Sequence, residues 1–346
     1  MVGQFIKESK LINRQYDGDY INLGTSIAIN EIGKHPVRKI NLYLKIVGAV
    51  LKKLTTSNFE IVYIGITAKG IGFYKDFIIA LIAKFSGGTL LLHFHNKGVA
   101  TNQNRFIDDL LYRVLFRHAK VMLLSPLLYE DIKKYVKPVD VFYCPNGIPE
   151  SYANKNIKLS KNTTVNLLFF SNLIESKGVY ELLEACSYLQ QKQIPFSCTF
   201  AGGEGDITAS NFSKRVKQLN LENHVQYIGK QYGEEKKNVF EKADIFVLPS
   251  YNDCFPLVLI EAMKYGLPIV STYEGGIPDL VDEGITGYLV RQQDSINLAK
   301  QIELMIINSE LRAKMGTAAK AKFDKEYTLE KFENRFVDIL NKVCEN

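Results

Sequence analysis

Asp253 and Glu261 stand eight positions apart in NDCFPLVLIEAMKYGLPIVST (252–272), a run that is otherwise mostly apolar. An acid inside a segment built for burial calls for a reason. Pro256 suits the first position of a helix over 256–265, because it lacks an N–H that would go unsatisfied there. The free amides near Leu257 and Val258 would then offer a phosphate site. Glu261 falls just over one turn into that helix and Asp253 precedes it. One carboxylate could thus accept hydrogen bonds from hydroxyls on each side of the phosphate, the order of a ribose, a diphosphate and a sugar. The bland alternative stands level with this: Glu261 a paired buried acid, and Asp253 a turn or cap.

A second stretch adds a cation. In FFSNLIESKGVYELLEA (169–185) a strand gives way to a loop, and Lys177–Gly178 sits at the start of the next helix. An ammonium there neutralises a diphosphate, and a glycine lets it approach closely. Alone, the pair reads as an exposed lysine and a turn glycine.

The elements that must position these groups alternate along the chain. In the first half the expected strands are DYINLG (19–24), FEIVYIG (59–65), TLLLHFH (89–95), KVMLLS (120–125) and DVFYCP (140–145), with helical patterns at 37–53 and 105–116 among them. A polar stretch at 150–164 reads as a linker. Strand–helix alternation then restarts with VNLLFFS (165–171), a helix over 179–190, and the strands FSCTFAG, VQYIG, IFVLPS and PIVST. This is the pattern of α/β proteins with parallel sheets. It predicts two Rossmann-like doubly wound domains facing a cleft, at 1–150 and 165–326. An amphipathic C-terminal helix follows at 327–346, N-capped by Thr328 and able to cross back to the first domain. Ligands of such sheets bind beyond the carboxyl ends of the strands, where Lys177 and Asp253 fall.

Bulk properties narrow the function. The 346 residues are 46% hydrophobic and 23% charged, an ordinary soluble mix of two-domain length. No apolar run approaches the roughly 18 residues of a spanning helix. The five scattered cysteines form no CxxC pair and read as reduced thiols of a cytoplasmic protein, with no zinc spacing to the histidines. Residues 1–150 hold 20 Lys+Arg against 12 Asp+Glu, a net +8 within a chain of +6. A basic half suits phosphates or an acidic membrane surface, and equally plain solubility. No Arg-rich tract or RNA-binding signature supports nucleic acid. Asp17–Gly18–Asp19 imitates a metal-binding DxD but reads as a turn. GGEGD lacks the last glycine of a dinucleotide fingerprint, and no hydrolase elbow or P-loop occurs.

Four blocks in order resemble the nucleotide-sugar domain of the family 4 glycosyltransferases, retaining enzymes of the GT-B fold. They are 169–185, FAGGEGD (200–206), ADIFVLPSYNDCFPLVLIEAMKYGLPIVST (243–272) and GGIPDLVDEGITGYLV (275–290). The resemblance implies a hexosyltransferase that moves a sugar from a UDP- or GDP-linked donor to an acceptor hydroxyl. It implies no cofactor and no metal. Asp253 would hold the donor sugar, where the family usually has the longer Glu, and Glu261 the ribose. Lys177 would hold the diphosphate. Its family partner, an arginine, is Asn172 here, so one of two cations is gone. Gly178, Gly203, Phe255, Pro256, Leu257 and Val258 complete the implied donor site.

In the first half LLHFHN (91–96) resembles the family strand whose histidine faces the transferred sugar, with His95 preferred and His93 second. Lys69, in GITAKGIGFYKD (65–76), would border the acceptor, although a solvated lysine is the plainer reading. The acceptor expected is lipid-linked or saccharide, met at the inner face of the membrane by peripheral contact, in bacterial surface-polysaccharide synthesis. The family's opening strand has no counterpart ahead of MVGQFIKESKLI, which makes Met1 an internal methionine of a longer product in this reading. A nucleotide-sugar epimerase and a non-catalytic nucleotide-sugar binder are the competing functions.

Overall fold

The computed structural model describes residues 2–24, 36–150 and 164–345. The expected linker lies almost wholly outside them. The chain divides into two compact units, residues 1–145 with 333–346, and residues 146–332.

The first unit opens with α1 (Val2–Glu8), α2 (Lys10–Gln15) and α3 (Pro36–Thr56), and continues with β1 (Ile61–Ile66), α4 (Gly70–Lys84), β2 (Thr89–Phe94), α5 (Val99–Asn102), α6 (Phe106–Phe116), β3 (Lys120–Leu123) and β4 (Val141–Tyr143). Its four strands among the described residues are parallel and lie in sequence order, β1-β2-β3-β4. Each step is therefore taken in the same direction. Right-handed crossovers then put α4 and α6 on one face of the sheet, and α3 packs against α4 on that side.

One expected strand does not form. Residues 19–24 carry no regular structure. Their alternation imitates a strand, but Tyr20 and Ile21 are exposed, Tyr20 bonds Asn13, and Asp19 pairs with Lys53 at 2.7 Å. Without a partner edge, alternation alone does not make a strand.

The second unit holds β5 (Val165–Phe170), α7 (Val179–Gln191), β6 (Phe196–Ala201), α8 (Ala209–Gln218), β7 (Val225–Tyr227), α9 (Gly233–Lys242), β8 (Ile245–Val247), α10 (Leu257–Lys264), β9 (Ile269–Thr272), α11 (Ile277–Leu280), β10 (Gly287–Val290), α12 (Ser295–Ile307) and α13 (Ser309–Glu326). The last helix, α14 (Leu329–Cys344), starts at Thr328, whose hydroxyl accepts from the Lys331 amide. The six parallel strands run β10-β9-β8-β5-β6-β7. From β5 the chain winds one way through β6 and β7. It then returns to the other side of β5 and winds away through β8, β9 and β10. The order reverses between β5 and β8, so the loops leaving those two strands diverge and open a crevice at their carboxyl ends. The central strands β5, β8 and β9 are largely buried on both faces, which is why they read as apolar runs rather than as alternation. The five cysteines are free thiols.

Candidate functional site

Lys177 and Asp253 meet at this reversal. Lys177 ends the loop after β5, and Asp253 lies in the loop after β8. The ammonium sits 2.5 Å from Asp253 Oδ2, with the two side chains 22% and 14% exposed. The backbone holds both loops together. The Tyr251 amide and the Ser250 hydroxyl both donate to the Ser176 carbonyl. Gly178 has φ +83°, and a Cβ there would stand 2.3 Å from the Pro249 carbonyl oxygen. The bare glycine thus admits the loop that leaves β8, rather than only leaving room for a ligand as its position in the sequence suggested.

Asp253 is fixed from behind. Its amide donates to Glu274 Oε1 at 2.9 Å, and Gln292 Nε2 donates to the other oxygen of Glu274. Glu274 is buried, so it acts on Asp253 through the main chain. Asp253 Oδ1 accepts from the Cys254 amide. Asp253 is therefore both a loop cap and the partner of Lys177.

Pro256 is the N-cap of α10, one residue before the helix expected to begin with it, because its ψ of 114° is extended. The amides of Leu257 and Val258 donate to no described acceptor. Glu261 lies one turn further on. Its Oε1 takes the Lys236 ammonium at 2.6 Å, and its side chain is 21% exposed. The structural alternative for this acid is thus half met. Glu261 has an ion partner, but Oε2 accepts from no described residue and the group is not sealed. Lys236 rests over the rings of Phe170 and Phe240 at 5.2 and 6.0 Å.

Three other implied donor residues do different work. Asn172 Oδ1 accepts the Gly203 amide at 2.9 Å, which ties the loop after β5 to the loop after β6. The carboxamide thus braces this rim as a neutral group. Phe255 turns into the interior, 5% exposed, with its ring against Tyr327 at 6.2 Å. Its side chain is a packing group, as expected of a large apolar residue between two loop segments. Gly203 is bare because Lys230 crosses it: a Cβ there would stand 2.5 Å from Lys230 Cε and 3.1 Å from Asn172 Oδ1. Lys230 is exposed in the loop after β7.

Lys236, Lys230 and Glu274 were not singled out from the sequence. The lysines sit in polar stretches without motif spacing, among 43 Lys+Arg residues. Glu274 directly precedes a quoted block, and that adjacency was its one signal.

In the first unit the two histidines separate. His93 is fully buried, with Nδ1 2.7 Å from the Tyr63 hydroxyl and Nε2 without a partner among the described residues. It is the core histidine, not an acceptor-side group, because residues within β2 are enclosed. His95, just past the end of β2, is half-buried, and its ring lies tilted by 42° against that of His93, with centroids 4.0 Å apart. Burial pushes the His95 pKa down to about 4, and burial with the neighbouring His95 pushes that of His93 well below the usual imidazole range. Both imidazoles are neutral at pH 7. Lys69 is exposed at the N-cap of α4, its stem lying across Gly98. The amides of Gly98, Val99 and Ala100 are already taken by the Asp131 carboxylate. Among the described residues no cluster of His, Cys, Asp or Glu is arranged to hold a metal, and no helix is long and apolar enough to cross a membrane.

The amylovoran biosynthesis glycosyltransferase AmsK of Erwinia amylovora is 29% identical over 204 residues, covering 57% of this chain and 50% of that protein. A D-inositol 3-phosphate glycosyltransferase of Corynebacterium jeikeium is 32% identical over 156 residues, 44% of this chain and 37% of that one. The chain thus spans about half, or less, of the length of these curated relatives. Among solved structures, Anabaena Alr3699/HepE in complex with UDP and glucose superposes with a TM-score of 0.70 at 17% identity, covering 93% of this chain and 85% of that one. Sucrose-phosphate synthase of Thermosynechococcus elongatus gives 0.69 at 17%, covering 92% and 80%. These likenesses establish the fold, two parallel-sheet domains of the GT-B class. Residues 150–322, half of the chain, match the family Glycosyl transferases group 1, and the protein belongs to that family.

Proposed function

We propose that the chain is a retaining hexosyltransferase of family 4 that takes a sugar from a UDP- or GDP-linked donor and adds it to an acceptor hydroxyl in surface-polysaccharide synthesis. The observation that carries this reading is the meeting of Lys177 and Asp253 at the β5/β8 reversal, beside the two undonated amides that open α10. A diphosphate there would exchange the Asp253 carboxylate for its own oxygens on Lys177, and would accept the Leu257 and Val258 amides. Lys230, crossing Gly203 beside Asn172, would supply the second cation in place of the family's arginine. Glu261 would accept from the ribose hydroxyls once Lys236 swings aside, and the freed Asp253 from hydroxyls of the sugar. The biosynthetic setting is supported by the likeness to the amylovoran biosynthesis glycosyltransferase of Erwinia amylovora.

In the reaction, the bond from the anomeric carbon to the β-phosphate oxygen breaks and the acceptor oxygen bonds that carbon from the same face. The acceptor proton passes to the departing phosphate oxygen. Charge grows on the diphosphate as the sugar becomes cationic, so donors already aimed at it favour the transition state over the bound donor. The cradle needs no metal, since lysines and main-chain amides provide the positive potential. His95 carries the sugar-facing role that the resemblance assigns, as a neutral imidazole. Asp253 and Glu261 position the donor, and neither is a nucleophile. The acceptor in this reading is lipid-linked, presented at the inner membrane face.

Titration calorimetry with UDP and GDP tests the site. Binding of one of them, weakened in Lys177→Ala, is the expected result, and equal affinity in the two proteins would overturn it. A nucleotide-sugar screen for released nucleotide tests the reaction. An isomeric sugar-nucleotide product formed without acceptor would point to an epimerase, and binding without turnover to a non-catalytic binder.

A further inference from the structure

Three helices of the first unit expose apolar side chains of a kind proteins bury. Eleven large hydrophobic residues are exposed on α3, α4 and α6, against six in the whole described second unit. They are ordered. On α3, Val37, Ile40, Leu44 and Leu51 fall within about 60° of one another at 100° per residue. On α4, Ile71, Tyr74 and Ile78 follow the same i, i+3, i+7 spacing, with Ile71 80% exposed. On α6, Ile107, Leu110 and Val114 do likewise beside Phe106, which is 84% exposed. Winding puts α4 and α6 on the same face of the sheet, α3 packs against α4, and α4 against α6. The three stripes therefore belong to one face. An exposed apolar surface of this extent marks a contact.

Charge says with what. Every exposed charged side chain on the three helices is basic: Arg38, Lys45, Lys52, Lys53 and Arg113. The acids are turned in and engaged. Asp76 accepts the Thr67 amide, Asp108 the Tyr74 hydroxyl, and Asp109 is held by Arg113, Lys134 and Tyr135. On α3, Arg38, Lys45 and Lys52 form a line about 40° wide beside the apolar stripe. A second copy of this face would set like charges against each other across a two-fold axis. A nucleic acid would meet the cations but gain nothing from Ile71 or Phe106. A bilayer with anionic headgroups matches both, the stripes entering the acyl boundary and the basic line the headgroups.

We propose that α3, α4 and α6 form a docking face for an anionic membrane. This deepens the lipid-linked acceptor of the proposed function by naming the surface that would hold the enzyme at its substrate. It stands on the first unit alone.

Vesicle flotation tests it, comparing phosphatidylcholine alone with phosphatidylcholine mixed with phosphatidylglycerol. The chain should float with the mixed vesicles and at least about tenfold less with the neutral ones, since each basic residue near an anionic surface is worth roughly fivefold. Arg38→Gln/Lys45→Gln/Lys52→Gln should cut binding about a hundredfold by the same measure. Ile71→Ser/Phe106→Ser/Ile107→Ser should abolish it. Both variants replace exposed groups, and their melting curves and nucleotide affinity should match the parent. No flotation with either lipid would overturn the proposal, as would equal flotation of the apolar variant. So would a parent dimer in sedimentation that the apolar variant dissociates, which would make the face a contact between copies. Loss of nucleotide binding in the parent protein would instead count against the donor site and leave this face standing.

Discussion

The two units are built on one plan and use it differently. In the second, the strand order reverses between β5 and β8, and the ionic groups of the candidate site gather at the loops leaving them. In the first, the described strands run in order without reversal. Its backbone amides after β2 are capped by its own Asp131, and its distinctive surface is helical and apolar. A parallel sheet offers a ligand crevice where neighbouring loops part, and reversal is what parts them. Where the described strands do not reverse, the outer face of the helices offers a second kind of surface for recognition.

The comparison can be broken first by stability. Gly178→Ala forces a side chain into positive φ and against the Pro249 carbonyl. It should cost about 2–4 kcal/mol. In calorimetry the second unit's transition should fall while that of the first stays put. A common shift would mean that the units do not melt apart.

Acid should do the reverse. The His93 and His95 pKa values lie below the unfolded value, that of His95 at about 4. Below about pH 6.5 the unfolded chain binds protons that the native one refuses. The stability of the first unit is therefore full above that pH and falls as the pH drops towards 4, by roughly 1.4 kcal/mol per pH unit for each histidine at most. His93→Gln should flatten the slope in urea melts at pH 7 and pH 5.

Lys177→Ala removes charge-assisted hydrogen bonds worth about 1.5–3 kcal/mol and should weaken diphosphate nucleotides roughly 10- to 100-fold. The free nucleoside should bind as before, so a matching loss for uridine or guanosine would place Lys177 elsewhere. Lys230→Ala should weaken the same nucleotides about three- to fivefold, as suits an exposed cation, and should flatten their salt dependence. Lys69→Ala, in the unit without reversal, should leave nucleotide affinity within about twofold, the size of an uninvolved surface substitution.

Much of this architecture was legible in advance. Strands such as 165–170 and 89–94 were found within a residue or two because strands covered on both faces are continuous apolar runs. Residues 19–24 misled because alternation describes a face, not the neighbour needed to pair with it. Lys177, Asp253 and Glu261 stood out because a helix start and a turn of helix fix their relative heights. Lys230 and Lys236 did not, since a lysine on a polar loop or helix looks the same whether it faces solvent or an acid 25 residues away.

The amino-acid pattern by itself determined the alternating elements and the acids that flank one helix start. These follow from local periodicity and from chain geometry over a few residues. The tertiary structure decided which loops become neighbours: that β8 lies beside β5, that Asp253 therefore closes on Lys177, that Glu261 holds Lys236, and that Asn172 braces Gly203. Strand order is set by packing between segments far apart in the chain, and no short stretch of sequence carries that information.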